Sequence, residues 1–227
     1  QVAIYKPAEM TLIDQAETPM HDVRLIMKDQ FADVKNQTIV GSITDKPFME
    51  KIFEVHRPEY VFHAAAYKHV PMMEDNPAMA VRNNVNGTRI IADLAVKYGT
   101  KKFVMISTDK AVNPTNVMGC SKRICEIYCQ SLNQAIVDGR VKGVTQFVTT
   151  RFGNVLGSNG SVIPIFKKLI RKGGPLTVTH PDIIRYFMLI PEACKLVLEA
   201  GTMGKGGEIF VFDMGKPVKI VDLAKRM

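Results

Sequence analysis

The sequence has no apolar run approaching the roughly 18 residues that a membrane-spanning helix needs, and no secretory signal peptide is visible. It also has no internal repeat and no low-complexity linker. These absences argue against a membrane-spanning segment in this sequence and against a repeat array. An apolar content of 46% over 227 residues is typical of a globular protein, built as one large domain or one domain with a small appendage.

Cysteine is scarce, with four in the chain. Cys125 and Cys129 are four residues apart, but no histidine stands at ligand spacing from them, so buried thiols in a reducing compartment are favoured over zinc or a disulfide. His63, His69 and His180 are too far apart in sequence to suggest a metal centre. We therefore predict no metal site.

The charge is unbalanced, with a formal net charge of +8, which favours an anionic partner. Nucleic acid is one candidate. However, the basic residues form scattered doublets, and no mixed aromatic and basic RNA-binding signature accompanies them. We therefore expect a phosphorylated small molecule and no nucleic acid.

Short apolar runs alternate with amphipathic helical patterns along the chain, which predicts βαβ units and a parallel sheet. The predicted strands are Met10–Ile13, Thr38–Ile43 with its exit, Tyr60–Ala66, Phe103–Ile106, Thr145–Arg151 and Glu208–Phe212. The predicted helices are Pro19–Phe31, Pro47–His56, Pro77–Tyr98, one from Val117, Val162–Arg171 and Pro191–Ala200.

The stretch Lys101–Lys122 carries the strongest chemical signal. Its apolar strand ends directly in Ser107-Thr108-Asp109-Lys110. Ligands of open parallel sheets bind beyond the carboxyl ends of the strands, so these side chains are expected in a cleft. On the helix that follows, Met118 and Lys122 are four residues apart and share a face, which predicts one carboxylic acid close to two amines. The alternative is a solvated turn after a strand.

Two further patterns concern a dinucleotide. Asp14 ends a predicted strand, where an acidic residue holds the adenosine ribose and favours NAD over NADP. The loop 153–160 resembles a glycine-rich dinucleotide-binding loop, but its glycine spacing is G-x-x-x-G-x-x-G. In addition, no strand that ends in an acidic residue follows about 20 residues later. We interpret it as a substrate-side loop.

Several motifs together resemble those of the UDP-N-acetylglucosamine 4,6-dehydratases, which are extended short-chain dehydrogenase/reductases. They are HAAAYKHVPMMEDNP, NNVNGT, STDKAVNPTNVMGCSKR, RFGNVLGSNGSVIP, TVTHPDIIRYFM, IPEA and GEIFVFDMGKPVKIVDLA. The resemblance covers nearly the whole chain in order. It implies an α/β fold with a Rossmann-type doubly wound parallel sheet, an NAD-binding domain at 1–152 and a small substrate-binding part at 153–227.

The resemblance also implies an activity. NAD would be reduced and reoxidised within each turnover, and UDP-N-acetylglucosamine would become a UDP-4-keto-6-deoxy-N-acetylhexosamine for polysaccharide or glycan biosynthesis. We expect a homo-oligomer in the cytoplasm. The alternative for the full-length protein is a membrane-anchored enzyme at the cytoplasmic face of the inner membrane. Two rivals are a sugar-nucleotide 4-epimerase, which does not need the Asp109-Lys110 pair, and a non-catalytic NAD-binding scaffold.

The sequence departs from the family pattern in two ways. Methionine stands at 118 where most short-chain dehydrogenases have the tyrosine of Tyr-x-x-x-Lys, as in the subgroup that resembles the large membrane-anchored bacterial dehydratases. The family's first strand and glycine-rich loop would lie before Gln1, and its last helices beyond Met227, so we expect a fragment. That strand is central in the order 3-2-1-4-5-6, so two sheet edges should be unpaired and NAD should bind poorly.

Catalytic roles are carried over from the family residue by residue. Asp109 would protonate the departing C6 hydroxyl, Lys110 would act as the base at C5, and Lys122 would hold the nicotinamide ribose. Met118 has no transferable proton, so the C4 base is left open between Thr108 relaying to Lys122 and a carboxylate. Cations at Lys110 and Lys122 favour an ionised Asp109, whereas an acid must hold its proton.

Binding roles are carried over in the same way. For NAD, the residues are Asp14 (ribose), Ser42 and Ile43 (adenine), Ala64, Ala65 and Lys68 (the wall near the phosphates), Asn84 and Ser107. For the UDP-sugar, they are Asn154, Ser161 and Arg185, the last as a pyrophosphate partner because arginine suits a bidentate phosphate contact. Each cofactor-side residue could instead be a turn or core residue, and Arg185 could belong to a surface ion pair.

Overall fold

The computed structural model describes residues 1–158 and 161–227. The strands are β1 (Met10–Asp14), β2 (Asn36–Val40), β3 (Tyr60–His63), β4 (Lys102–Thr108), β5 (Gln146–Phe152), β6 (Asn154–Val155), β7 (Ile184–Arg185), β8 (Phe187–Met188), β9 (Ile209–Val211) and β10 (Val218–Lys219). The α-helices are α1 (Glu17–Gln30), α2 (Lys46–His56), α3 (Val70–Asp75), α4 (Pro77–Ala80), α5 (Gly87–Lys97), α6 (Val117–Val137), α7 (Val162–Arg171), α8 (Ile190–Met203) and α9 (Ile220–Arg226). Val2–Tyr5 and Asp109–Ala111 form 3-10 turns, and Val81–Asn86 forms a π-helical turn.

The larger strands form two parallel sheets. One contains β1 and β2, and the other has the order β3-β4-β5-β9. Within the described residues, β1 pairs only with β2, and β3 pairs on one side only, with β4.

Strand β4 lies at the centre of the molecule. Phe103, Val104 and Met105 are each fully buried, as expected for a parallel strand covered on both faces. Phe103 and Met105 pack with residues of α2, α5 and α6 in the main core cluster. Val104 points to the other face and lies against Gly201 of α8, whose added Cβ would be 3.0 Å from the valine. Helices therefore cover both faces of this sheet.

Most predicted elements are confirmed, and their differences have local causes. Strand β3 ends at His63, and Ala64–Ala66, a residue type that is depleted in strands, form a loop instead. The predicted helix Pro77–Tyr98 is interrupted by the π-helical turn, and α3 was not predicted. Helix α7 has the predicted bounds, Val162–Arg171.

Beyond β5 the chain forms two small ladders and then returns to the main sheet. Strand β6 pairs in parallel with β8, and β10 pairs antiparallel with β7. These strands of two residues each were not predicted, since so short a strand leaves no periodic signal. Strand β9 pairs with β5, so the sheet crosses the predicted boundary at 152/153. The division into an NAD-binding and a substrate-binding part stays a functional prediction.

Candidate active site

The polar residues that end β4 contact one another. The Thr108 hydroxyl donates to Asp109 Oδ1 over 2.8 Å and accepts from the Lys110 backbone N–H over 3.4 Å. Lys110 Nζ donates to the same Asp109 oxygen over 2.9 Å. The Asp109 side chain is 46% exposed and that of Lys110 29%, so a substrate can reach both. An acid and an amine thus share a hydrogen bond at the carboxyl end of the central strand.

The residues that directly follow β5 join this group. Lys110 Nζ also donates to Asn154 Oδ1 over 3.3 Å, across 44 residues of sequence. A Cβ added to Gly153 would be 3.4 Å from Asp109 Oδ2, so the carboxylate lies close to that backbone. The Asp-Lys turn is therefore held between two strand ends, and the alternative of a merely solvated turn does not describe these contacts.

Lys122, the second amine of the predicted cluster, has contacts of its own. Lys122 is 7% exposed, and its ammonium donates to the Ile106 carbonyl over 2.9 Å. Burial lowers the pKa of Lys122 below its ordinary value. Within the described residues no hydrogen bond joins Lys122 to Asp109 or to Thr108, so the relay from Thr108 to Lys122 stays a prediction.

Met118 occupies an apolar environment. It is 3% exposed and packs with Met73 and Ala80, and partly buried Tyr67 contacts the same cluster. At the tyrosine position this chain thus places a packed thioether with no proton to transfer.

Ser107 faces away from the other polar residues of its strand end. Its hydroxyl donates over 2.6 Å to Glu126, a fully buried carboxylate on α6. A contact between the Ser107 side chain and a cofactor stays a prediction. Glu126 is not among the predicted site residues, although its spacing of four residues from Lys122 places it on the same helix face.

Six of the predicted cofactor residues lie at or just beyond the carboxyl ends of β1, β2 and β3, namely Asp14, Ser42, Ile43, Ala64, Ala65 and Lys68. Asp14 Oδ1 accepts the Ala16 N–H over 2.8 Å, and the Ser42 hydroxyl lies 2.9 Å from that of Thr44. Gln15 donates to the Tyr67 hydroxyl over 3.2 Å, which links the loops after β1 and β3. The carboxyl ends of the two sheets therefore point to the same side of the molecule.

The π-helical turn and the start of α5 contact these loops at two points. Ile43 packs so closely on Gly87 that an added Cβ would lie 2.4 Å from its Cδ1. Asn84, 1% exposed, accepts from Asn83 and from the Tyr67 N–H and donates to the Tyr67 carbonyl and to Ser121. These four bonds use the full capacity of the amide. Asn84 thus fixes the loop that carries Ala64, Ala65 and Lys68, and its direct contact with NAD stays a prediction.

The predicted substrate residues lie around the small ladders beyond β5. A cavity of about 180 Å³ has among its lining residues Asn154, Phe166 and Arg185. Arg185 donates to the Ile184 carbonyl over 2.8 Å, and among the described residues it forms no ion pair. Because Asn154 also contacts Lys110, the structure joins this cavity to the Asp-Lys pair.

Ser161 precedes α7, and its hydroxyl is buried without a hydrogen-bond partner among the described residues. Asn159 and Gly160 of the predicted substrate-side loop lie outside the described residues.

Comparison with known proteins identifies the family. Residues 1–227 match the family model described as polysaccharide biosynthesis protein. The chain belongs to this family. It is 50% identical over its whole length to the probable polysaccharide biosynthesis protein EpsC of Bacillus subtilis, and 49% identical to the capsular polysaccharide biosynthesis protein CapD of Staphylococcus aureus. It spans 37% of the length of each of these relatives.

Solved structures agree with the fold. The structure of Pen from Bacillus thuringiensis is 31% identical with a TM-score of 0.90, and the match covers 99% of this chain and 66% of that one. A dTDP-glucose 4,6-dehydratase of Streptomyces venezuelae has a TM-score of 0.85 over 97% of this chain and 71% of its own. At 19% identity the latter shows the fold alone. These matches confirm the predicted α/β class, a Rossmann-type extended short-chain dehydrogenase/reductase.

No helix within the described parts of the chain has both the length and the apolar character needed to cross a membrane.

Proposed function

We propose that this chain carries the active site of an NAD-dependent sugar-nucleotide 4,6-dehydratase that acts on UDP-N-acetylglucosamine. The observation that carries the proposal is the Asp109-Lys110 hydrogen bond, with Lys110 also bonded to Asn154 at a cavity that contains Arg185. An acid and a base held side by side are what the removal of water from C5 and C6 of a sugar requires.

The residues at the carboxyl ends of the strands fit NAD in their chemistry. Asp14 offers a carboxylate to ribose hydroxyls, and Lys68 offers a cation to the pyrophosphate. Ala64 and Ala65 let a ligand approach the loop after β3, while Ser42 and Ile43 would flank the adenine and Lys122 would hold the nicotinamide ribose. NAD supplies the acceptor and donor of the hydride that leaves C4 and later reaches C6.

The Asp109-Lys110 pair moves protons on the sugar. Once C4 is a ketone, neutral Lys110 takes the C5 proton while Asp109 gives its proton to the C6 hydroxyl. The C5–H and C6–O bonds break, a C5–C6 double bond forms and water leaves. The proton gained by Lys110 and the proton lost by Asp109 balance, so the pair becomes an ion pair without a net change of charge.

The proposed step starts from the neutral pair, which differs from the ion pair by one proton moved along the 2.9 Å hydrogen bond.

A 4-epimerase is the second candidate. A UDP-glucose 4-epimerase of Rickettsia canadensis is 36% identical over 205 residues, 89% of this chain and 57% of its own length. Epimerisation at C4 does not need an acid and a base for C5 and C6, so it leaves the Asp109-Lys110 pair without a role.

The deciding experiment incubates the full-length protein with UDP-N-acetylglucosamine and NAD and follows the sugar by mass spectrometry. We expect the loss of one water. Lys110→Met should abolish this loss, whereas Lys101→Met, which removes an exposed lysine paired with Glu59 at the opposite end of β4, should not. A product of unchanged mass but altered C4 configuration by NMR would identify an epimerase, and no change in the sugar would contradict both candidates.

A further inference from the structure

Glu126 is a fully buried carboxylate that has no part in the chemistry proposed above. It accepts the Ser107 hydroxyl over 2.6 Å, Arg151 Nε over 2.7 Å and an Arg123 nitrogen over 3.0 Å. A second Arg151 nitrogen donates to its other oxygen, which makes the Arg151 contact bidentate. Helix α6 thus presents one carboxylate to several donors at the carboxyl end of the sheet.

Two of these donors come from adjacent strands at the same level. Ser107 of β4 and Arg151 of β5 are direct cross-strand partners in the register. Thr108, the last residue of β4, follows Ser107 and leads into the turn that carries Asp109 and Lys110, and the chain beyond Arg151 reaches Asn154 within three residues. The buried carboxylate is therefore the shared attachment of both strand ends that carry the site.

These contacts indicate that the Glu126 carboxylate is ionised and rigidly held. Burial by itself raises the pKa of Glu126, but the hydrogen bonds from Arg151, Ser107 and Arg123 outweigh it and lower the pKa below its ordinary value. Hydrogen bonds to an ionised acceptor are short and roughly twice as strong as neutral ones, and the bidentate arginine adds a fixed geometry. Removing one partner of such a group leaves an uncompensated buried charge, which is strongly destabilising.

We propose that Glu126 is a positioning residue that sets the separation between the Asp109-Lys110 pair, which directly follows β4, and Asn154, which begins β6 shortly after β5. This inference rests on the proposed dehydratase function. Lys110 Nζ reaches Asp109 over 2.9 Å and Asn154 over 3.3 Å, so a shift of about 1 Å at either strand end breaks one contact. A misplacement of that size lowers a rate by roughly 10²-fold.

The same two strands provide a matched control at their other end. Lys102 and Gln146 are also direct cross-strand partners, and Lys102 Nζ donates to Gln146 Oε1 over 2.6 Å and to the Gly204 carbonyl. Lys102 is 7% exposed. It is therefore a buried charge that ties β4 to β5 at the end opposite to the site.

The experiment compares Glu126→Gln with Lys102→Met in the full-length protein, at a temperature where circular dichroism shows both to be folded. Both should melt below wild type. Only Glu126→Gln should lose about 10²-fold in kcat for water loss, with KM for UDP-N-acetylglucosamine changed less than about threefold. An unchanged kcat in Glu126→Gln, or an equal loss in Lys102→Met, would overturn the proposal.

A double variant separates stability from positioning. Glu126→Leu combined with Arg151→Met removes both buried charges and replaces them with apolar groups, a change that is often neutral or stabilising. It should melt above Glu126→Gln while kcat stays low. Recovery of kcat together with the melting temperature would show that Glu126 only stabilises the fold.

A chemical readout keeps the test independent of the overall reaction. The acetylation rate of Lys110 by an N-hydroxysuccinimide ester, followed by peptide mass spectrometry, reports whether its contacts with Asp109 and Asn154 persist. The rate should rise in Glu126→Gln and not in Lys102→Met. If wild type removes no water but this difference appears, the proposed function fails while the positioning role stands; equal rates in all three proteins would refute the positioning role.

Discussion

At the scale of single residues, Asp109 and Lys110 matter because one hydrogen bond joins an acid and a base. The pair is open to solvent and is fixed by Asn154 on one side and by Thr108 on the other. Asp109 and Lys110 can each be replaced by a side chain of similar size that cannot transfer a proton to or from the sugar. The two halves of the proposed reaction can therefore be separated.

Asp109→Asn should allow oxidation at C4 and block the loss of water. Asparagine still hydrogen-bonds, so substrate should bind, but it cannot protonate the leaving hydroxyl, and general acid catalysis is worth roughly 10²–10⁴-fold. Trapping with borodeuteride and mass spectrometry should detect the 4-keto sugar with its C6 oxygen retained. Asp138→Asn, at an exposed aspartate paired with Arg140, is the control. Unimpaired turnover in Asp109→Asn would show that Asp109 is not the acid.

His63 is a buried group whose titration affects stability. It is 4% exposed, and its Nε2 lies 2.8 Å from the Thr88 hydroxyl. Burial, and then the positive charge of Lys122, lower the pKa of His63 from 6.5 to about 3. Between these values the unfolded chain binds a proton that the folded chain does not bind, so acid favours unfolding in that window.

Replacing His63 with glutamine should remove this pH dependence. As the pH falls from 6.5 towards 4.5, wild type should lose about 1.4 kcal/mol of stability per pH unit more than His63→Gln does. Urea unfolding followed by circular dichroism at several pH values measures the difference. Parallel stability curves for the two proteins would mean that His63 is protonated in the folded state.

At the scale of elements, the first turn of α6 holds the Asp109-Lys110 turn in place. Gly119 lies so close to this turn that an added Cβ would be 2.2 Å from the Lys110 carbonyl oxygen and 3.2 Å from Pro114. The Asn116 side chain caps the helix by accepting the Gly119 N–H over 2.8 Å. The position of Lys110 therefore depends on the absence of a side chain at 119.

Gly119→Ala should separate folding from activity. Alanine is the better helix former, but its methyl group must displace the Lys110 backbone, so kcat should fall by roughly 10²-fold while the chain stays folded. Gly174→Ala, where none of the described residues has an atom within 4 Å of the added Cβ, is the matched control and should behave as wild type. Steady-state kinetics and a melting curve test both variants. Full activity in Gly119→Ala would show that the turn tolerates the shift.

At the scale of the whole molecule, the main sheet connects the two predicted parts of the chain. Strand β9 adds to β5, and α8 packs on the face of β4 opposite to α6. The turn before β9 is held as well, because Gln130 of α6 donates to the Gly207 carbonyl over 3.1 Å. These contacts give the residues beyond 152 a share of the same core.

We therefore expect one cooperative unfolding transition in the chain. The sequence contains no tryptophan, so a single introduced tryptophan is a clean fluorescent probe. Tyr60→Trp in β3 and Tyr186→Trp between β7 and β8 replace half-exposed aromatic side chains. Their urea transitions should coincide with each other and with circular dichroism. An earlier transition at position 186 would show that the part beyond residue 152 unfolds by itself.

The sequence alone was sufficient to predict the class of fold, because its signals are local. A buried strand appears in the sequence as a short apolar run, and an amphipathic helix as apolar residues repeated with a period near 3.6. Neither pattern depends on distant parts of the chain. The same holds for the polar residues that end β4, since the carboxyl end of a parallel strand is a known place for ligands. Short elements such as β7 and β10 carry no such local signal and appear only when the chain beyond β5 packs.

Only the tertiary structure decided which side chains meet. Lys110 contacts Asn154, which follows β5, because β5 pairs beside β4. Lys122, which helix spacing predicted near the Asp109-Lys110 pair, donates to the Ile106 carbonyl. Strand alternation sends the Ser107 hydroxyl to buried Glu126 while Thr108 stays with Asp109. Contacts between residues distant in sequence depend on strand order, register and packing, and these are properties of the folded chain that no local pattern records.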